Sequence, residues 1–185
     1  MERDAISLAT RAKLLDAAGK VITKSGTDAL TLDAVAQEAG VSKGGLLYHF
    51  PSKKRLIQAM VDRLIARVDE ALQDELETSG GDYVTAYIRA SFRTQAEPDR
   101  VSQALSAAVS SDPELIQPLR ERFFRMQQEI TAAAASEELG TIIRLALDGL
   151  WMSDVFGFAP PSPELREKML PALLEIAGQP HRKEP

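Results

Sequence analysis

Apolar residues recur along this chain at the three-to-four-residue spacing of amphipathic helices, and no stretch alternates long enough to make a strand. Leu15, Ala18 and Ile22 mark one face of a first helix over about 8–24, with Gly26 as its stop. Leu32, Val35, Ala36 and Ala39 repeat at i, i+3, i+4 and i+7. Thr31 is a good N-cap for that run, Asp33 suits its first turn, and Gly40 ends it. Ser42 caps a short third helix, Lys43 to His49, closed by Pro51. Ser52 then caps a long helix carrying Ile57, Met60, Val61, Leu64, Ile65, Val68 and Leu72 on its face. That helix ends near Thr78-Ser79-Gly80-Gly81, the clearest linker in the chain. Further helices are predicted over 83–95, 100–109, 112–136, 139–156 and 164–177. Pro118 demands a kink or a later start in one of them, and Pro171 is expected to bend the last. The chain therefore reads as all-α with about nine helices and a flexible tail over 179–185.

Composition adds bounds rather than detail. Across 185 residues, 44% are hydrophobic and 26% charged, enough for a proper core in a globular protein. No apolar run is long enough to span a bilayer, so no membrane partner is expected. The first four residues carry both signs and lack an apolar secretory core, and there is no cysteine for a disulfide or a thiolate metal site. Cytoplasm is the expected location. The net charge of −5 argues against a nucleic-acid partner until it is located along the chain. Through Arg55 there are nine basic and six acidic residues, a formal +3, which leaves −8 on the remainder. A basic head on an acidic body is the asymmetry expected when one end meets phosphate.

The chemistry lies in Thr31 to Lys53, TLDAVAQEAGVSKGGLLYHFPSK. Two short capped helices joined by Gly40-Val41-Ser42 make a helix-turn-helix over 31–50. The first of the pair buries its stripe against a three-helix core. The second stands free to enter a DNA major groove, N-terminus first, with Lys43 at that end. Gly44 and Gly45 are poor helix formers, each costing roughly 1 kcal/mol against alanine. Their use is close approach of the backbone to base edges or thymine methyls. Tyr48 and His49, one turn on, can donate to phosphates, and Lys53 can neutralise another. The alternatives are a core role for Tyr48, a merely surface His49, and a solvated helix start for Lys53, Lys54 and Arg55. Leu46, Leu47 and Phe50 are expected to supply the core contacts of this helix.

The pattern Leu14-x-x-Ala17-Ala18 … Gly26 … Thr31-x-x-x-Val35-Ala36-x-x-Ala39-Gly40-Val41-Ser42-x-Gly44-x-Leu46-x-Tyr48-x-Phe50-x-x-Lys53-x-x-Leu56 resembles the TetR family of bacterial regulators, over about 11–60. The resemblance implies that Thr31, Tyr48, His49 and Lys53 contact phosphates, and that Lys43, Gly44 and Gly45, just after Ser42, face bases. It implies a sequence-specific transcriptional regulator, a repressor released from double-stranded DNA by a small molecule. It also implies an all-helical C-terminal body, a homodimer through the last two long helices, and an effector pocket in that body. One departure from the usual pattern matters: Gly44-Gly45 leaves few side chains to read bases.

On this reading residues 1–56 form the DNA-binding domain, and 57–178 the larger helical domain for ligand binding and dimerisation. The segment 139–156 is apolar on nearly every face, through Leu139, Ile142, Ile143, Leu145, Leu147, Leu150, Trp151 and Val155. A helix of that kind is buried on both sides, and one subunit offers too little to cover it. With Leu165, Met169, Leu173 and Ile176 on the helix over 164–177, it would pair with a second copy. Two-fold symmetry would then set the recognition helices roughly 34–36 Å apart on a palindromic operator. Phe92, Phe123, Met126 and Trp151 could line a pocket or simply fill the core. Asp148 and Asp154 could face a cationic ligand, cap a helix, pair with Arg144, or meet solvent. No H-E-x-x-H, phosphate loop or nucleophile elbow is present, so neither an enzyme nor a metal site is expected, and no cofactor beyond an unidentified small-molecule effector. A helical protein-binding adaptor, the third class, would need no basic, glycine-bearing helix.

Overall fold

The computed structural model describes residues 2–94 and 112–178. The helix expected over 100–109 and the tail over 179–185 lie outside the described residues. Within them the chain is helical without strands: α1 (Glu2–Ser25), α2 (Leu32–Ala39), α3 (Lys43–His49), α4 (Lys53–Thr78), α5 (Tyr83–Thr94), α6 (Gln117–Ala133), α7 (Glu137–Phe156) and α8 (Pro163–Gly178). Single 3-10 turns stand at Thr27–Ala29 and Pro113–Ile116. The chain forms two compact units, and the division within α4 falls after Leu64, eight residues beyond the boundary read from sequence. Burial explains the difference, since Ile57, Met60 and Val61 belong to the core of the first unit.

In the first unit α1 packs on α2, and α2 on α3. Leu14, Leu15, Ala18, Leu30, Val35, Leu46, Phe50 and Leu56 are fully buried between them, and the Arg11 guanidinium lies 5.4 Å over the Phe50 ring. The punctuation works as its chemistry dictates. Thr31 Oγ1 accepts from the Ala34 N–H at 3.1 Å and Ser42 Oγ from the Gly45 N–H at 3.1 Å. Gly40 closes α2 in the left-handed region at φ 63. Helix α1 starts six residues earlier than expected. Ile6 and Leu8 within the added length are exposed, so they give the pattern no buried stripe to mark.

In the second unit α5 packs on α7 and α8. Tyr87, Ile88, Met126, Ile130, Ile143 and Leu147 form the centre of a core to which α4 adds Ala71 and Leu72. In the described segment 112–118, which belongs to the first unit, Pro118 produces a later helix start rather than a kink. Asp112 caps the turn Pro113–Ile116, accepting from the Glu114 N–H at 3.1 Å. Helix α6 then begins at Gln117, so the proline occupies the first turn, where a missing N–H costs nothing. Pro171 lies inside α8, which continues through it. Helix α7 begins at Glu137, two residues before the expected start, capped by Ser136, which accepts from the Leu139 N–H at 3.2 Å.

The apolar helix α7 is not buried on both sides by its own chain. Ile143, Leu147 and Leu150 face inward, whereas Ile142, Leu145, Met152 and Phe156 are exposed. The face expected on α8 is split as well. Leu173 packs on the core with Leu170, Leu174 and Ala177, but Leu165 and Ile176 point outward. Helices α6 and α7 meet closely at Gly140, where a Cβ would lie 2.8 Å from the Ile130 carbonyl oxygen and 3.1 Å from Thr131 Cα. Backbone cannot yield as a flexible side chain can. Gly140→Ala should therefore destabilise the fold by about 1–3 kcal/mol, the usual cost of overpacking, read as a lowered thermal midpoint by circular dichroism.

Candidate nucleic-acid interface

Helix α3 has seven residues and commits one, Leu46, to the core. Ser42 Oγ is spent on its cap. Lys43, Gly44, Gly45, Leu47 and Tyr48 are exposed, and His49 is half-buried. Tyr48 is 81% exposed, which removes the reading of it as a core aromatic; its ring meets His49 edge-on at 5.1 Å. Leu47 corrects the sequence reading. It was expected in the core beside Leu46 and Phe50, yet it is 38% exposed. Successive helical residues are rotated about 100°; Leu46 takes the centre of the short buried face of α3 and Leu47 falls at its edge.

The two glycines are not demanded by packing. A Cβ at Gly44 would meet nothing within 4 Å, and one at Gly45 only Ser42 Oγ at 3.3 Å. Sequence expense without internal need is what a surface built for close approach to another molecule would show. Around it the cations are held lightly. Lys43 Nζ lies 2.9 Å from Asp33 on α2, with both side chains exposed. Exposed pairs of this kind contribute at most about 1 kcal/mol and exchange readily for a phosphate. This pair brings the start of α3 to the start of α2, where Thr31 stands two residues before Asp33. Lys53 opens α4, half-buried, three residues after α3 ends. Its neighbour Lys54 is not merely solvated: it pairs with Asp112 at 2.8 Å. That hydrogen bond holds the Asp112 carboxyl below and the Lys54 ammonium above their ordinary ranges.

The residues considered for a ligand pocket divide. Met126 is a core residue and Phe92 packs against the core. Phe123 and Trp151 touch, with centroids 6.1 Å apart. Asp148 takes the Arg144 guanidinium, which also reaches Gln127, and Asp154 takes Arg166 through both oxygens. Pairing with Arg144, one of the open alternatives, holds for Asp148, whereas the partner of Asp154 is Arg166. Burial nonetheless pushes the Asp148 carboxyl above its ordinary range, against the pull of Arg144. Sequence reasoning missed a second polar cluster. Arg122 is buried, paired with Asp69 on α4 and 3.5 Å from Glu129, and Glu129 accepts from the Tyr83 hydroxyl at 2.5 Å. Tyr83 and Tyr87 stack, and burial raises both phenols. The members come from α4, α5 and α6, so no local spacing could have announced them. Among the described residues no group of histidines and carboxylates could hold a metal ion, and no helix is long and apolar enough to cross a membrane.

Comparison with known proteins agrees with this geometry. Residues 14–60 match a family described as bacterial regulatory proteins, tetR family, and 81–178 match the tetracyclin repressor-like C-terminal domain. The probable HTH-type regulator ArpR of Pseudomonas putida is 38% identical over 77 residues, 38% of this chain and 36% of that protein. The regulator EthR of Mycolicibacterium smegmatis is 28% identical over 138 residues, 73% of this chain and 58% of that one. The chain thus spans about a third to three-fifths of the length of these curated relatives. Among solved structures, the multidrug binding protein EbrR in complex with malachite green superposes with a TM-score of 0.69 at 19% identity, covering 91% of this chain and 98% of that one. The SmeT–triclosan complex gives 0.67 at 16%, covering 96% and 99%. At such identities the likeness is one of fold.

Proposed function

Since the chain belongs to the TetR family of bacterial regulatory proteins, we propose that it is a sequence-specific DNA-binding regulator of transcription, a repressor that leaves its operator when a small molecule binds. The observation that carries this reading is α3: one residue given to the core, the remainder turned outward, and a glycine at 44 that the fold itself does not require. In the major groove Lys43, Gly44 and Gly45 would face bases, while Thr31, Tyr48, His49 and Lys53 would hold phosphates and fix register. The protein would act in the bacterial cytoplasm, on the nucleoid when bound to DNA. Two copies would pair through the outward apolar positions of α7 and α8 and read a palindrome.

Release would be a population shift. A ligand bound by the second unit favours a conformation in which the two recognition helices are wrongly spaced for the operator. Helix α4, continuous from one unit into the other, is the element through which that coupling would run. Solved proteins of this fold are named for complexes with malachite green and triclosan. That likeness supports a small-molecule effector here, with Phe123 and Trp151 the aromatic pair nearest to hand.

The experiment is fluorescence anisotropy of labelled duplexes, selected and random, at several salt concentrations. Lys53→Ala should weaken binding to both alike and lower the salt slope by about one unit per subunit, because one phosphate contact is lost. Tyr48→Phe should weaken both without changing the slope. An unchanged affinity and slope for Lys53→Ala would remove that lysine from the interface.

A further inference from the structure

Leu47 has no part in the account so far, since it is neither core nor cation. Resting on the reading of α3 as the groove-entering helix, we propose that Leu47 determines sequence specificity by packing against the 5-methyl group of a thymine. An exposed leucine alone is ordinary; its place is what matters. With Leu46 buried and each residue turned about 100°, Gly44 and Tyr48 point most directly away from the core, and Leu47 flanks them on the side of Lys43. Lys43 would read a base by hydrogen bonding rather than by apolar contact, Gly44 and Gly45 carry no side chain, and Tyr48 is suited to phosphate. Leu47 is then the one apolar side chain this face offers to a base edge. It makes no hydrogen bond and so cannot read guanine, adenine or cytosine through theirs. In the major groove the thymine methyl is the group that apolar side chains contact. The open space at Gly44 lets the helix settle deeply enough for a short branched side chain to reach it.

The test uses the full chain and a duplex selected from random sequence. Each thymine in turn is replaced by deoxyuridine, which removes the methyl and leaves every hydrogen-bonding group in place. One position in each half-site should lose affinity about fourfold, the effect of one methyl-sized apolar contact. In Leu47→Ala the unmodified duplex should bind about fourfold or more weakly per half-site, and the deoxyuridine effect at that position should vanish. Affinity for random DNA and the salt slope should stay unchanged. Leu47 lies outside the core, so the variant's thermal midpoint should match the parent's. Full thymine discrimination by Leu47→Ala, or no thymine sensitive to methyl loss in the parent complex, overturns the proposal while leaving DNA binding by α3 intact. Failure of the parent protein to select any duplex overturns both.

Discussion

Gly44→Glu should abolish operator binding while the protein stays folded. The space beside Gly44 is empty in the protein alone, so the fold tolerates a longer side chain. With α3 in the groove as proposed, DNA would fill that space, and a carboxylate there would meet phosphates and base acceptors. Like-charge contact across an interface costs several kcal/mol, on the order of a thousandfold in affinity. Gly44→Ala supplies the sharper form of the argument, because its two effects carry opposite signs. Alanine is the better helix former by roughly 1 kcal/mol, so the thermal midpoint should rise. On the proposed docking its methyl would stand where the backbone approaches DNA, so affinity should fall. A Gly44→Glu protein with native circular dichroism and undiminished operator binding would exclude α3 from the groove.

The second large effect concerns the dimer. On α7 the positions Ile142, Leu145, Gly149, Met152 and Phe156 are all exposed and follow the three-four spacing of a packing seam. Leu165 and Ile176 add outward apolar positions on α8. A stripe of this length left in water is costly, and a second copy of the same two helices would cover it with two-fold symmetry. Leu145→Glu places a charge at the centre of the seam without touching the protomer's core, since Leu145 is 54% exposed. Sedimentation should change from dimer to a folded 20.2 kDa monomer. Operator affinity should drop by on the order of a hundredfold or more, the avidity lost when two linked half-sites become one. A parent protein that sediments as a monomer at micromolar concentration would defeat the dimer and the palindrome together.

What the sequence disclosed and withheld follows from where the information is local. The caps Thr31 and Ser42, the stop at Gly40 and the short turn before α3 are fixed by residues within four positions of one another, and each performs the hydrogen bond or left-handed turn its chemistry suggests. Pro118 was legible as a conflict, and the turn capped by Asp112 is how the chain resolves it. Periodicity failed where apolar residues are exposed, as at Ile6 and Leu8 of α1. It also failed where two apolar neighbours, Leu46 and Leu47, face opposite environments. On α7 it registered that the helix is apolar but not which positions its own chain covers: Ile143, Leu147 and Leu150 are buried, Ile142 and Leu145 are not. The Arg166 partner of Asp154 was not legible, because the two residues lie on different helices, whereas Arg144 and Asp148 are one turn apart. The Arg122 cluster was invisible because its members lie far apart in sequence: Asp69 is 53 residues from Arg122, and Tyr83 is 46 from Glu129.

The central claim is that α3 reads DNA sequence. It is tested most directly by incubating the purified full chain with random-sequence duplexes, recovering the bound fraction through several rounds, and sequencing it. The expected result is enrichment of an inverted repeat whose half-sites are one helical turn apart, about 10–10.5 base pairs or a multiple of it, with no such enrichment by Gly44→Glu. Bound duplexes as random as the starting pool would contradict it, and so would the same motif recovered by the Gly44→Glu protein.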